Sequence, residues 1–170
     1  MKPITVTTVI DRPVEEVFDH LDDLDNHEAF TDHFMTDWTP ASETRTGVGA
    51  KVRFKVKAGG RHPWSEIEVL EAERPHRSME EGRGGKDGRR HTRGTYVLAP
   101  RADGGTDLTF TLELLEPVTT GDKVQMALGG RAYLKRLNAK AMARLKAVLE
   151  ARPKGAASEA TNGGAAPAAA

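Results

Sequence analysis

The chain has 170 residues, no cysteine and a net charge of zero, 25 basic side chains balancing 25 acidic ones. That length suits one domain with a substantial core. The charge balance argues against a dedicated nucleic-acid binder or a membrane-surface protein, both of which carry a basic excess. The lack of cysteine excludes disulfide scaffolds, thiol nucleophiles and thiolate zinc sites. No stretch approaches the about 18 apolar residues of a membrane span, and residues 1–10 lack the apolar centre of a signal peptide. A cytoplasmic protein without stable membrane insertion is the expectation.

Ile4, Val6, Val9 and Ile10, with three threonines among them, make residues 4–10 a strand. Asp11 or Arg12 is placed to cap a helix whose first turn holds Pro13. Val14, Val17, Phe18 and Leu21 then fall at helical spacing, with Glu15 and Glu16 where the helix dipole favours acids. A second short helix is predicted over 26–35, with Phe30 and Phe34 on one side. From residue 51 the period changes to two: Val52, Phe54 and Val56 alternate with Lys51, Arg53, Lys55 and Lys57. Further strands are predicted over 64–73, with Ile67 and Val69 in phase, over 77–83, over 89–98, with Tyr96 and Leu98 in phase, and over 107–114. The last of these follows the hairpin signal Asp103-Gly104-Gly105. Leu108, Phe110, Leu112 and Leu114 supply its apolar face, and Lys55, Glu68, Thr109 and Thr111 are expected to face water.

A long helix is predicted over 122–150. Asp122 and Gln125 form a capping box, and Gly130, Leu134, Leu137, Ala141, Leu145 and Val148 keep one face apolar. Beyond it, nine of the twenty residues 151–170 are Ala, three are Gly and two are Pro. Such a segment cannot offset its ordering entropy by burial, so a domain over 1–150 with a disordered tail over 151–170 is expected. The result is an α+β chain: two short helices after the first strand, then a curved antiparallel sheet of about seven strands wrapped around the C-terminal helix.

This arrangement resembles the helix-grip fold of the START/Bet v 1-like (SRPBCC) superfamily, in its polyketide cyclase/dehydrase and lipid-transport group. The resemblance is carried by Ile10-Asp11-Arg12-Pro13-Val14-Glu15-Glu16-Val17-Phe18, by Asp19-His20-Leu21-Asp22-Asp23, by Gly47-Val48-Gly49, by Gly105-Thr106-Asp107-Leu108-Thr109-Phe110 and by the helix end Leu145 to Glu150. It implies a cavity between sheet and helix that takes a hydrophobic small molecule, lipid or polyketide-like, in a monomer or weak homodimer. The alternative it implies is a polyketide cyclase, aromatase or dehydrase acting in the same cavity; a co-chaperone role is a third. No cofactor, metal or nucleic acid is expected. Few aromatics are available, nine in all, and Gly94, Gly129 and Gly130 leave room where large side chains could pack. The lining is expected from Phe54, Val56, Ile67, Val69, Tyr96, Phe110 and Leu112 on the strands and from Met126, Tyr133, Leu134 and Leu137 on the helix.

Six histidines (His20, His27, His33, His62, His76 and His91) show no metal-ligand spacing and are expected on the surface. No nucleophile elbow, P-loop or dinucleotide fingerprint occurs. Charges are segregated: residues 11–37 hold ten acids and one base, residues 82–94 five bases and one acid. Either these are two solvated surfaces or an arginine of the second run points inward to hold a ligand oxygen. Arg90 shares the alternation of Tyr96 and is the candidate.

Overall fold

The computed structural model describes residues 2–57, 60, 62–85, 88, 90–115 and 126–153. The chain forms seven strands: β1 (Ile4–Ile10), β2 (Met35–Pro40), β3 (Lys51–Val56), β4 (Trp64–Glu73), β5 (Arg77–Gly84), β6 (Arg90–Pro100) and β7 (Thr106–Leu114). All pair antiparallel, in the order β1-β7-β6-β5-β4-β3-β2. The helices are α1 (Val14–Asp22), α2 (His27–Thr31) and the long α3 (Arg131–Glu150).

The predicted phase holds on the inner face. Phe54, Ile67, Val69, Tyr96, Leu98 and Phe110 are buried, and Val56 and Leu112 half-buried. Lys55, Glu68, Thr109 and Thr111 are half-buried, not free in water. Lys55 pairs with Asp37 at 3.6 Å and lies over the Trp64 ring, and Glu68 pairs with Lys51 at 3.1 Å. Aliphatic stems laid on neighbouring side chains cover surface while their charged ends stay wet.

Three expectations are corrected. The helix predicted over 26–35 is a 3-10 turn, Leu24–Asn26, followed by the shorter α2, and the chain then becomes the edge strand β2. The register of β2 on β3 shifts between Thr36 and Thr39, with Asp37 at φ 57°, and Pro40 sits at its end, where an edge strand tolerates a missing donor. The long helix starts at Arg131, behind a separate turn over Met126–Gly130, because Gly129 at φ 104° breaks the helical path. Asp122 and Gln125 lie outside the described residues.

Neither Asp11 nor Arg12 caps α1. Pro13 stands at the cap position and no side chain closes it. Arg12 instead turns to the other end of the chain. Its guanidinium, 3% exposed, donates to the carbonyl oxygens of Asp11 (2.8 Å), Glu150 (2.9 Å) and Arg152, and pairs with Glu16 at 3.3 Å. A cation on the last carbonyls of a helix satisfies acceptors that have no partner within it. The Asp11 amide also donates to the Glu150 carboxylate at 2.7 Å. These contacts tie the residues just before α1 to the end of α3 and to Arg152 just beyond it. Truncation after residue 153 is expected to leave the melting temperature unchanged. Truncation after 150 removes the Arg152 acceptor and should lower it by about 2–6 °C, read by calorimetry.

α3 packs against β1 and α2. His33 Nε2–H donates to the Leu137 carbonyl at 3.1 Å, and Arg144 pairs with Asp32. Beneath the helix, one core cluster joins β1, α1, α2, β6 and β7 to Ala141, Met142, Leu145 and Leu149. A second joins Leu24, Ala50, Val52, Phe54, Ile67 and Val69.

Candidate functional site

Inward-facing side chains run the length of the grip, and burial falls along them in one direction. On β7, Leu108 is 1% and Phe110 5% exposed, while Leu112 and Leu114 are only half-buried. On α3, Leu149, Leu145, Met142 and Ala141 are buried, while Leu137 and Leu134 are half-buried. On β3, Val52 and Phe54 are buried and Val56 half-buried. The helix is held by its C-terminal half, and packing loosens toward its start.

Across the sheet at this looser end, the ladder aligns Val69, Glu80, Gly94 and Leu112 in one row. The next row is Ile67, Gly82, Thr92 and Leu114. Glycines therefore stand where β5 and β6 would otherwise present side chains to the helix. A Cβ on Gly94 would lie 2.8 Å from Glu80 Oε1, 3.0 Å from Glu80 Cγ and 3.2 Å from the Phe110 ring. The Glu80 carboxyl thus lies folded over Gly94, in space that only glycine leaves free.

Glu80 was not anticipated from the sequence. It is half-buried, and the loss of hydration raises its pKa from 4.5 to about 7. Tyr96, one row away on β6, is 5% exposed and packs on Phe110 with ring centroids 4.7 Å apart. Burial raises its phenol pKa well above the ordinary value, and the nearby Glu80 adds to the shift. Among the described residues neither the carboxyl nor the phenol has a hydrogen-bond partner. Two polar groups facing inward without partners are expensive unless something else satisfies them.

The anticipated lining residues divide. Phe54, Ile67, Val69, Tyr96 and Phe110 are packed in the two cores; Val56, Leu112, Leu134 and Leu137 lie at the looser end. Tyr133 does not join them: it is 57% exposed, on the solvent side of α3. Met126 falls in the turn before α3, and its side chain lies outside the described residues. Arg90 has the alternation of Tyr96 but is the first residue of β6, opposite Gly84, and is exposed. It stands at the end of the sheet, not inside it.

Two histidines expected on the surface are buried. His27 Nε2–H donates to the Leu21 carbonyl at 2.8 Å, its ring sits among Phe30, Trp38 and Tyr96, and burial lowers its pKa. His20 is 4% exposed with both ring nitrogens unpartnered. Burial lowers its pKa to about 4, helped by the charges of Arg152 and His27. Among the described residues, no three His, Asp or Glu side chains are grouped to hold a metal ion, and no helix is long and apolar enough to cross a membrane.

A seven-stranded antiparallel sheet closed on a long C-terminal helix, with two short helices after β1, is the helix-grip architecture of Bet v 1-like proteins. The chain is similar in fold to TTHA0849 of Thermus thermophilus, with TM-score 0.67 and 16% identity over 88% of this chain and 98% of that one. It is similar to Ara h 8.0201, with TM-score 0.62 and 9% identity over 89% and 99% of the two chains. It also matches DynU16, from the dynemicin biosynthetic locus, with TM-score 0.61 and 19% identity over 89% of this chain and 48% of that one. No curated protein matches the chain. The family described as polyketide cyclase / dehydrase and lipid transport matches residues 1–150, and the chain belongs to it.

Proposed function

We propose that this protein binds a hydrophobic small molecule, lipid or polyketide-like, in an internal cavity between the sheet and the first half of α3. The observation that carries the reading is the common direction in which burial falls along β3, β7 and α3. Side chains that face the interior yet keep accessible surface border a space, and apolar space left unfilled destabilises a fold. Val56, Leu112, Leu114, Leu134 and Leu137 form the apolar wall. Titration with an environment-sensitive dye is expected to saturate at about one site per chain, and Leu137→Trp, which fills the space, to weaken it. If no dye binds while the Trp variant folds normally, the interior is solid and the reading is wrong.

A cyclase or dehydrase acting in the same cavity is the second reading, favoured by Glu80 and Tyr96. A carboxyl titrating near neutrality exchanges protons readily at the carbon between two carbonyls, and a phenol can donate to the enolate oxygen that forms. Deuterium uptake at that carbon of an aryl β-diketone, catalysed by the protein and lost in Glu80→Gln, is the result this reading requires.

A further inference from the structure

We infer that Glu80 and Tyr96 form the polar end of this cavity and select an apolar ligand that carries a hydroxyl group, an alcohol or phenol, in preference to a free carboxylate. The inference rests on the cavity reading above. Glu80 opposes Gly94 and Tyr96 opposes Ser78, so the two side chains are diagonal neighbours on adjacent strands, within reach of one bound atom. Gly94 leaves the space in which the carboxyl lies, and the Phe110 ring closes one side of it. Among the described residues neither group has a hydrogen-bond partner. A carboxylate only accepts, whereas a phenol donates as well. One ligand oxygen that donates to Glu80 and accepts from Tyr96 would satisfy both. An ammonium has no lone pair for Tyr96, and a ligand carboxylate would meet Glu80 as a like charge.

The surroundings do not reverse this preference. β4 opposes Glu80 with Val69, and Gly94 and Leu112 continue its row on β6 and β7. The half-buried residues in the first half of α3 are Leu134 and Leu137. Tyr96 is the titratable neighbour on β6. His27 lies beyond it, with ring centroids 6.3 Å apart, and burial favours the neutral form of both His27 and His20. Arg90 stands on the same face of β6 at the exposed end of the strand, beyond Thr92. On α1, which packs on β5, Asp22 has one buried carboxylate oxygen while the other accepts from the Gly47 amide at 3.0 Å, burial raising its pKa, and Glu16 pairs with Arg12 at 3.3 Å.

Three probes of one ring size test the inference by fluorescence titration: 2-naphthol, 2-methoxynaphthalene, which cannot donate, and 2-naphthoate. At about pH 8.5, 2-naphthol should bind about tenfold more tightly than 2-methoxynaphthalene, the scale of one hydrogen bond to a charged acceptor. 2-Naphthoate should bind most weakly. At about pH 5.5, with Glu80 protonated, the preference for the naphthol should shrink several-fold. Glu80→Leu should abolish the preference while leaving 2-methoxynaphthalene bound, and Glu80→Gln should retain part of it but lose its pH dependence. Equal binding of naphthol and methoxynaphthalene by the wild type, or a preference that survives Glu80→Leu, overturns the selection by Glu80 and leaves the cavity standing. If none of the three binds, the cavity reading fails and this inference fails with it.

Discussion

Replacing Phe110 with alanine is expected to destabilise the protein by about 3–5 kcal/mol, the range for truncating a packed core phenylalanine. The ring is 5% exposed, lies opposite Val6 on β1 and Tyr96 on β6, and packs on the tyrosine with centroids 4.7 Å apart. Truncation removes its transfer energy and leaves a void that β1 and β6 cannot close without breaking ladder bonds. Leu112→Ala, one row along the same face, should be milder, below about 2 kcal/mol, because that side chain is only partly buried. Urea denaturation of the two variants reads the difference. Comparable losses would mean that the interior is equally packed at both rows. A loss below about 1 kcal/mol for Phe110→Ala would move the open space to that ring.

What the sequence made legible follows from periodicity. Val52-Phe54-Val56 and Leu108-Phe110-Leu112-Leu114 alternate strictly, and half-buried antiparallel strands need nothing else to be recognised. β2 had no such pattern. Met35, Trp38 and Pro40 are not in period-two phase, because the shift between Thr36 and Thr39 and the positive φ of Asp37 reset the alternation within the strand. The start of α3 was misplaced because a glycine within an otherwise helical pattern does not announce whether the helix absorbs it or breaks there; at Gly129 it breaks.

The site was harder to read than the fold for a related reason. β5 reads Arg-Ser-Met-Glu-Glu-Gly-Arg-Gly, with no apolar alternation to set its phase. Glu80 and Glu81 are adjacent, and a strand sends one of them to each face. Glu81 faces outward and meets Arg83 at 3.7 Å and His91 at 3.4 Å, while Glu80 lies over Gly94. Only the register with β4 and β6 decides between them. The signal that was present is the inward-phase series Gly82, Gly84 and Gly94, which leaves room for an interior polar side chain without naming it. For Arg90 the alternation was right but carried no information about depth: the residue begins its strand, where the same face opens to solvent. The buried Arg12, His20 and His27 were equally opaque: Arg12 and His27 donate to backbone carbonyls, Arg12 also pairs with Glu16, and the His20 ring nitrogens have no partner among the described residues.

Glu80→Gln is expected to stabilise the ligand-free protein by up to about 3 kcal/mol above pH 7. The sign follows from linkage. Burial raises the carboxyl from 4.5 to about 7, so the folded state holds its proton more tightly than the unfolded chain. The contribution is fully present below the unfolded pKa and is lost as pH rises through the folded one. The amide keeps the shape and never ionises, so the variant should match the wild type below about pH 4 and exceed it above about pH 7. His20, lowered from 6.5 to about 4, works in the opposite sense, its contribution fading as pH falls from 6.5 toward 4. In the wild type the two slopes oppose each other through most of that interval and flatten the profile. In Glu80→Gln the slope of the buried His20 and His27, both lowered by burial, should no longer be opposed by Glu80, giving a rise in stability toward neutral pH followed by a plateau. Chemical denaturation at a series of pH values separates the two curves. Parallel curves would show that Glu80 is as well hydrated in the folded protein as in the unfolded chain. A hydroxyl-bearing ligand should then narrow the gap that remains, because a carboxylate that gains a donor no longer stands unpaired in the interior.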